Sequence, residues 1–396
     1  MEYMRNKRWI EDLDMLSIEL PKRHANLFFH KDKAEFYREI ENLKRDIDYY
    51  DDYEVKAEIS KIVASIKDAH TFVTLPVKVL CPLQFYWFKD GVYVINTLKE
   101  QQDPLYSKVL AINGIPMKEI IETLSQSISY ENESYLKSQL PKYLPATELL
   151  YGLEIIDEFD YVHITFEDRC KNIRTLAIKA LPINEVNEKL KLKINNGTES
   201  ISLPLYRQNL DKYYWFKYLE DFKTVYFKYN ACRNMGNKSV HEFGKKLISF
   251  INKNSVEKLV IDLRNNFGGD STLLDPFIEK LKACEKLNEK GKLFVIVGRE
   301  TFSSALLNAL SLKKETNAIF IGEPTGGKPN CYGEVERFKL KNSGLQIAYS
   351  TKYYRVIEDD KVLSFIPDIN VEIGIEEYVS KEDPCLEYIL ENYSRV

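Results

Sequence analysis

Three short loops of the sequence carry groups that could together perform nucleophilic catalysis. The first loop contains the glycine pair Gly268 and Gly269, whose missing Cβ atoms let backbone N–H groups point at one place, as an oxyanion site requires. The second loop holds Ser303 and Ser304 directly before a predicted helix, where free N–H groups stabilise developing negative charge. The third loop, Gly322 to Asn330, carries two adjacent glycines followed by Lys328. The first two loops could thus supply oxyanion donors and a serine at a helix start.

Each loop also has an ordinary structural interpretation. Residues 262–270 are rich in Asn and Gly and could form a simple turn, and Ser303 alone could cap a helix. In the third loop, Gly322 to Lys328 fits the GxxxxGK part of a phosphate-binding motif. Pro329 stands where that motif needs a hydroxyl and a continuing helix, so a nucleotide site is not favoured.

His70 lies in the segment Asp68-Ala69-His70-Thr71, where the helical N-terminal region ends. A histidine is mostly neutral at physiological pH, whereas a lysine must have its pKa lowered far below the usual value of about 10.4. Spacing alone favours a structural His70 at a helix end, with Asp68 as a cap or surface acid. The other histidines show no pairing and receive no role: His24, His30, His163 and His241.

The hydrophobic pattern beyond residue 220 alternates between strands and helices, which predicts an α/β core. Each of the three loops follows a short apolar strand of this core, where such folds place their sites. The predicted strands are 225–229, 259–263, 293–297 and 318–321, and the predicted helices are 240–251 and 305–312.

The chain before the core divides into three parts. Residues 1–76 have helical periodicity, with Asp51 and Asp52 offered as an N-cap, and they predict a helical N-terminal unit. Residues 77–125 predict a small β-rich module whose strand, Asn113-Gly114 turn and helix resemble a PDZ-like peptide-binding module. Residues 126–205 are a mixed connecting region that closes in the polar stretch 195–198, a predicted loop, and residues 206–396 form the core.

Composition narrows the function classes. The 396 residues carry 56 basic and 60 acidic side chains, a net charge of −4, so no global positive field favours a nucleic-acid partner. The six cysteines lie far apart without a CxxC pair, which predicts reduced thiols and no metal site. Neither a leader peptide nor an apolar run of about 18 residues is visible, so we expect a cytoplasmic protein without a membrane span. Had a leader been removed, the location would be extracytoplasmic and the sequon at Asn196 would gain weight.

The loops together resemble the serine peptidases related to C-terminal-processing proteases and the tricorn core protease. The matching elements are Asp262 to Gly269, Thr301 to Ala305 and Gly326 to Lys328. The resemblance extends to Ile366-Pro367-Asp368 and to the opening Trp9 to Leu13, and so covers nearly the whole chain.

This resemblance implies a crotonase/ClpP-like αβ protease core and peptide hydrolysis through an acyl-enzyme on Ser303, without a metal or other cofactor. The separation of Ser303 and Lys328, 328 − 303 = 25, equals the spacing in the processing proteases and implies a Ser-Lys dyad. The N–H groups near Gly268, Gly269 and Ser304 would hold the oxyanion. The implied partner is a peptide or an unfolded protein, cut by a tail-specific endopeptidase, with the oligomeric state left open.

Two departures leave alternatives open. The processing proteases have a Gln four residues after the lysine, whereas this chain has Tyr332. The segment around His70 resembles the tricorn-like branch, in which a histidine is the base. Lys328 is the predicted base, with His70 as the alternative, and a catalytically inactive peptide-binding homologue of the same fold is the alternative function.

Overall fold

The computed structural model describes residues 2–194, 203–236 and 238–393, so the predicted loop at 195–198 and its sequon lie outside the described residues. The chain forms two compact units. Unit 1 combines Met1–Glu131, Leu136–Asn195 and Cys331–Arg355, and unit 2 combines Asn132–Tyr135, Asn196–Asn330 and Val356–Val396.

The described helices are numbered in chain order. They are α1 Glu2–Arg23, α2 Lys33–Arg45, α3 Asp52–Ala64, α4 Met117–Ser125, α5 Glu133–Tyr143, α6 Thr147–Gly152, α7 Ile183–Ile194, α8 Val240–Lys253, α9 Asp275–Lys282, α10 Ser304–Glu315, α11 Ile375–Val379 and α12 Pro384–Asn392.

The described strands are numbered in the same way. They are β1 Phe72–Thr74, β2 Val79–Leu80, β3 Leu83–Phe88, β4 Gly91–Thr97, β5 Lys108–Ile112, β6 Ile115–Pro116, β7 Tyr161–Glu167, β8 Ile173–Lys179, β9 Leu181–Pro182, β10 Tyr214–Leu219, β11 Thr224–Tyr229, β12 Lys258–Asp262, β13 Leu293–Val297, β14 Ile319–Gly322, β15 Cys331–Lys339, β16 Gln346–Tyr354 and β17 Ile369–Asn370.

Unit 1 begins with the predicted helices. Asp51 caps α3 in a capping box, since its side chain accepts from the Glu54 N–H while the Glu54 side chain accepts from the Asp51 N–H. The apolar faces of α1, α2 and α3 form one core with the hairpin β15–β16, which the sequence analysis did not single out. Strand β1 adds to this hairpin in the order β1-β16-β15, so a segment far along the chain completes the N-terminal helical layer.

A second sheet of unit 1 has the order β3-β4-β5-β7-β8, and β6 also pairs with β5. The predicted Asn113-Gly114 turn joins β5 to β6, and both residues have positive φ, 48° and 79°, as a tight hairpin turn requires. The predicted helix after it is α4. Because β7 and β8 come from the region expected to be a connection, the expected boundary at residue 125 falls inside one sheet.

Unit 2 is built on a sheet of order β10-β11-β12-β13-β14-β17, parallel from β11 onward. Strands β11 to β14 are buried along their whole length, and this explains their continuous apolar runs in the sequence. The predicted α/β alternation is confirmed here. The three loops follow β12, β13 and β14, so parallel pairing places all of them at one edge of the sheet.

Two further observations concern the whole described chain. Over residues 2–194, 203–236 and 238–393, no helix has the length and apolarity needed to cross a bilayer. The six cysteines, all within these ranges, are free thiols, as the sequence predicts.

Candidate active site

Ser303 occupies a strained turn between strand β13 and helix α10. Its backbone has φ 52° and ψ −127°, a conformation that residues with a Cβ rarely adopt. A sharp strand-to-helix turn of this kind projects a nucleophile from its strand and keeps its hydroxyl accessible. The side chain is half-buried and makes no capping hydrogen bond to α10, so the capping interpretation of Ser303 is wrong.

Ser304 has a different environment from its neighbour. It is the first residue of α10, it is buried, and its Oγ donates a hydrogen bond of 2.7 Å to the carbonyl oxygen of Gly269. This bond ties the start of the helix to the glycine loop. The backbone geometry therefore supports Ser303 as the projecting hydroxyl and gives Ser304 a positioning contact.

The glycine loop, residues 262–270, lies directly against the serine turn. A Cβ added at Gly268, whose φ is +104°, would lie 2.9 Å from the Cβ of Ser303 and 2.9 Å from the backbone nitrogen of Ser304. The N–H of Phe302 also donates to the carbonyl of Asn266 at 3.1 Å. Glycine is required at position 268 because both the backbone conformation and the available space exclude a side chain.

The oxyanion donors expected near the glycine pair need one correction. The N–H of Gly268 already donates to Oδ1 of Asn266 at 2.9 Å, so it is not available to a substrate. Asn266 is fully buried and donates in turn to the carbonyl of Tyr229. In the described part of the chain, the N–H groups of Gly269 and Ser304 have no such acceptor, and they remain as candidate donors.

The third loop packs on the serine turn from the other side. The N–H of Gly327 donates to the carbonyl of Thr301 at 3.0 Å, and a Cβ at Gly327 would lie 3.3 Å from Cα of Phe302. Lys328 follows directly and is 8% exposed. None of the described carboxylates lies within ion-pair distance of its amine. Strand β15 begins soon after, where a phosphate-binding motif would continue as a helix, and this agrees with the rejected nucleotide site.

A segment that the sequence analysis did not single out also reaches this site. Asn132 is buried, and its Nδ2 donates to the carbonyls of Gly326 at 2.9 Å and Leu363 at 2.7 Å. The ring of Tyr135 lies 4.6 Å, centroid to centroid, from that of Phe302. No motif marks these residues, and only their position in unit 2 reveals them.

His70 belongs to unit 1, where it lies over a buried carboxylate. Asp68 is 1% exposed, so its expected role as a surface acid is wrong. Burial opposes ionisation of Asp68, but the hydrogen bond from His24, together with those from Ser350 and Thr71, outweighs it and lowers the pKa of Asp68 to about 2. Burial also lowers the pKa of His70, against the opposing charge of Asp68, so the imidazole is neutral at physiological pH.

His24, to which the sequence gave no role, supports this carboxylate. Its Nδ1 accepts the N–H of Asn26 at 3.0 Å, which places its ring hydrogen on Nε2. That Nε2 lies 3.0 Å from Asp68 and donates to it. The expectation that His24 is unpaired is therefore wrong, because its partner lies 44 residues away in the sequence.

Across the described ranges, no group of three or more His, Cys, Asp or Glu side chains is arranged to hold a metal ion.

Residues 277–371, which include the serine turn and the Lys328 loop, match the sequence model of Peptidase family S41. The match covers this part of unit 2 and strands β15 and β16, and there the chain is similar to peptidase family S41. This confirms the family resemblance stated from the three loops.

Solved structures resemble this chain over nearly its whole length. Mature CPAF complexed with lactacystin has a TM-score of 0.67 and 13% identity, covering 98% of this chain and 98% of that chain. A serine-to-alanine mutant of CPAF has a TM-score of 0.69 and 13% identity, covering 98% and 97%. The photosystem II D1 C-terminal processing protease has a TM-score of 0.43 and 14% identity, covering 92% of each chain. The likeness to CPAF shows a common fold. No curated protein matches the chain in sequence.

Proposed function

We propose that this chain is a serine peptidase of family S41, which hydrolyses peptide bonds through an acyl-enzyme on Ser303. The observation that carries the proposal is the conformation of Ser303, φ 52° and ψ −127°, with Gly268 packed against its Cβ. A fold keeps such strain where it serves the chemistry, because an unstrained turn would be more stable. The Ser303 side chain makes no capping bond to its helix, and its Cβ lies against the glycine loop.

The reaction follows from these groups. Ser303 Oγ attacks the scissile carbonyl while its proton passes to the base, and the N–H groups of Gly269 and Ser304 stabilise the oxyanion. When the C–N bond breaks, the base returns the proton to the leaving amine. Water then attacks the ester, and the acid product leaves with Ser303 restored. No cofactor takes part in this scheme.

Lys328 is the proposed base. It lies in the same unit as Ser303, one residue beyond the Gly327 N–H that bonds Thr301. Its side chain is buried, 8% exposed, and the loop that carries it packs on the serine turn. His70 is the alternative base, supported by its neutral imidazole beside Asp68. The separate effects of the two substitutions decide between them, as set out in the Discussion.

The finer assignments form part of the same proposal. The parallel sheet of unit 2 supports a crotonase/ClpP-like core, since its short buried strands alternate with helices. The β3-β4-β5 strands with helix α4 support a PDZ-like module that would bind an extended peptide by strand addition. Capture of a chain terminus there would make the enzyme a tail-specific endopeptidase. We also propose a cytoplasmic location.

The proposal is tested with a serine-directed fluorophosphonate probe and an unfolded protein substrate. The wild-type chain should be labelled and should cleave the substrate, whereas Ser303→Ala should do neither. Ser304→Ala is the matched control: it keeps the backbone N–H and loses only the bond to Gly269, so it should retain at least about a tenth of the activity. An active Ser303→Ala with an inactive Ser304→Ala would overturn the assignment of the nucleophile. Absence of labelling in the wild type would favour the inactive peptide-binding homologue.

A further inference from the structure

Lys228 is a fully buried lysine in unit 2 to which the reaction assigns no role. It lies near the carboxyl end of β11 and its side chain has no solvent exposure. A buried ammonium group is costly unless it is paired and hydrogen-bonded. The partners of Lys228 therefore indicate what the residue does.

The amine of Lys228 has two partners at the start of the glycine loop. It lies 3.1 Å from Oδ1 of Asp262, the last residue of β12, and donates to Oδ1 of Asn265 at 2.7 Å. Asp262 also pairs with Arg264, whose guanidinium binds both carboxylate oxygens of Asp383. Asp262 thus has a second cation, whereas the bond to Asn265 depends on Lys228.

Asn265 also hydrogen-bonds to the serine loop, the segment between β13 and α10 that contains Ser303. Its Nδ2 donates to Oε2 of Glu300 at 3.2 Å, and Glu300 lies three residues before Ser303. The result is a chain of side chains, Lys228–Asn265–Glu300, that runs from a buried strand across the glycine loop to the serine loop. One end of the chain lies in strand β11, and the other lies three residues before the nucleophile in the sequence.

We propose that Lys228 is a positioning residue for the reaction on Ser303, acting through Asn265 and Glu300 to fix the glycine loop relative to the serine loop. The inference rests on the proposed function, because it concerns the geometry in which Ser303 attacks. Lys228 is buried away from solvent and touches no reacting atom. Its contribution is to hold the glycine loop and the serine loop in the correct relative position. Misplacement of the reacting groups by about 1 Å costs about 100-fold in rate.

The test compares Lys228→Met, Asn265→Ala and the double variant for cleavage of one peptide. Each single variant should lower kcat by about 10- to 100-fold while KM changes by less than about twofold, since positioning affects the attack more than binding. The double variant should be no worse than the poorer single variant, because both substitutions break one chain. Asn265 is half-buried and uncharged, so Asn265→Ala tests the chain even if Lys228→Met fails to fold.

Lys258→Met is the matched control. Lys258 is also a buried lysine, 7% exposed, but it lies at the start of β12, at the edge of the sheet opposite the loops. The kcat of Lys258→Met should stay within about twofold of the wild-type value, because Lys258 contacts neither loop.

Three outcomes would overturn the inference. An unchanged kcat in Asn265→Ala, with the wild type still labelled by the fluorophosphonate, would reject the positioning role and leave the proposed function intact. Fully additive losses in the double variant would show two independent effects. A wild type that is not labelled would instead remove the proposed function, and the inference with it.

Discussion

Gly268 packs so closely against Ser303 that a side chain at position 268 would collide with the serine. A Cβ at Gly268 would be 2.9 Å from the Cβ of Ser303, closer than side-chain carbons pack. The absence of a side chain at Gly268 therefore allows the glycine loop to approach Ser303 this closely. This contact joins two loops that are 35 residues apart, 303 − 268, in the sequence.

Gly268→Ala should therefore abolish most activity. The new methyl group must displace the serine turn, and φ of +104° disfavours alanine, so we expect about a 100-fold loss of kcat and a free energy of unfolding lower by about 1–3 kcal/mol. Gly236→Ala is the control, since Gly236 also has positive φ, +40°, but nothing within 4 Å of an added Cβ. It should lose about 1–2 kcal/mol of stability and keep full activity. Equal losses of activity in both variants would contradict the steric argument.

The strained backbone at Ser303 predicts that two inactive variants, Ser303→Gly and Ser303→Ala, differ in stability. Glycine adopts φ of 52° without a Cβ penalty, whereas alanine keeps that penalty. Ser303→Gly should therefore unfold with a free energy about 1 kcal/mol higher than Ser303→Ala, although glycine elsewhere usually destabilises. Chemical denaturation of both variants measures the difference. A less stable Ser303→Gly would show that the turn is not strained.

The two candidate bases predict different losses. If Lys328 takes the proton from Ser303, Lys328→Ala should lower kcat by about three or more orders of magnitude, while His70→Ala keeps most of the activity. Both variants are compared on the same peptide over a range of pH. A loss of that size in His70→Ala alone, with Lys328→Ala near the wild type, would assign the base to His70 and its supporting Asp68.

His70 also predicts how stability depends on pH. Burial lowers the pKa of its imidazole in the folded chain, so the unfolded chain takes up the proton first as the pH falls. Stability should therefore be lost as the pH falls below about 6.5, while Asp68, with a pKa of about 2, stays ionised. His70→Gln removes this titration and leaves the Asp68 bonds to His24, Thr71 and Ser350 in place.

The measurement is the shift of the thermal midpoint between about pH 7.5 and about pH 5. The downward shift should be smaller in His70→Gln than in the wild type. An equal or larger shift in the variant would mean that His70 does not titrate as its burial requires.

Local patterns in the sequence were enough to predict many of the elements. The apolar run at 293–297 is strand β13, and the Asp51 cap and the Asn113-Gly114 turn form as predicted. These features depend on a few adjacent residues, whose propensities and hydrogen bonds act within one turn of the chain. The order of strand, loop and helix around Ser303 could be predicted from the sequence for the same reason, since it also depends on adjacent residues.

The tertiary structure decided which groups meet. Parallel pairing of β12 and β13 brings Gly268 to Ser303, and packing in unit 2 brings Asn132 to the Gly326 carbonyl, 194 residues away. In unit 1, His24 meets Asp68 in the same way, through a fold that no local pattern encodes. The sequence by itself determined the reactive residue types and the elements that carry them. Their distances, burial and protonation follow from non-local packing, because side chains far apart in the chain become neighbours only when the core forms.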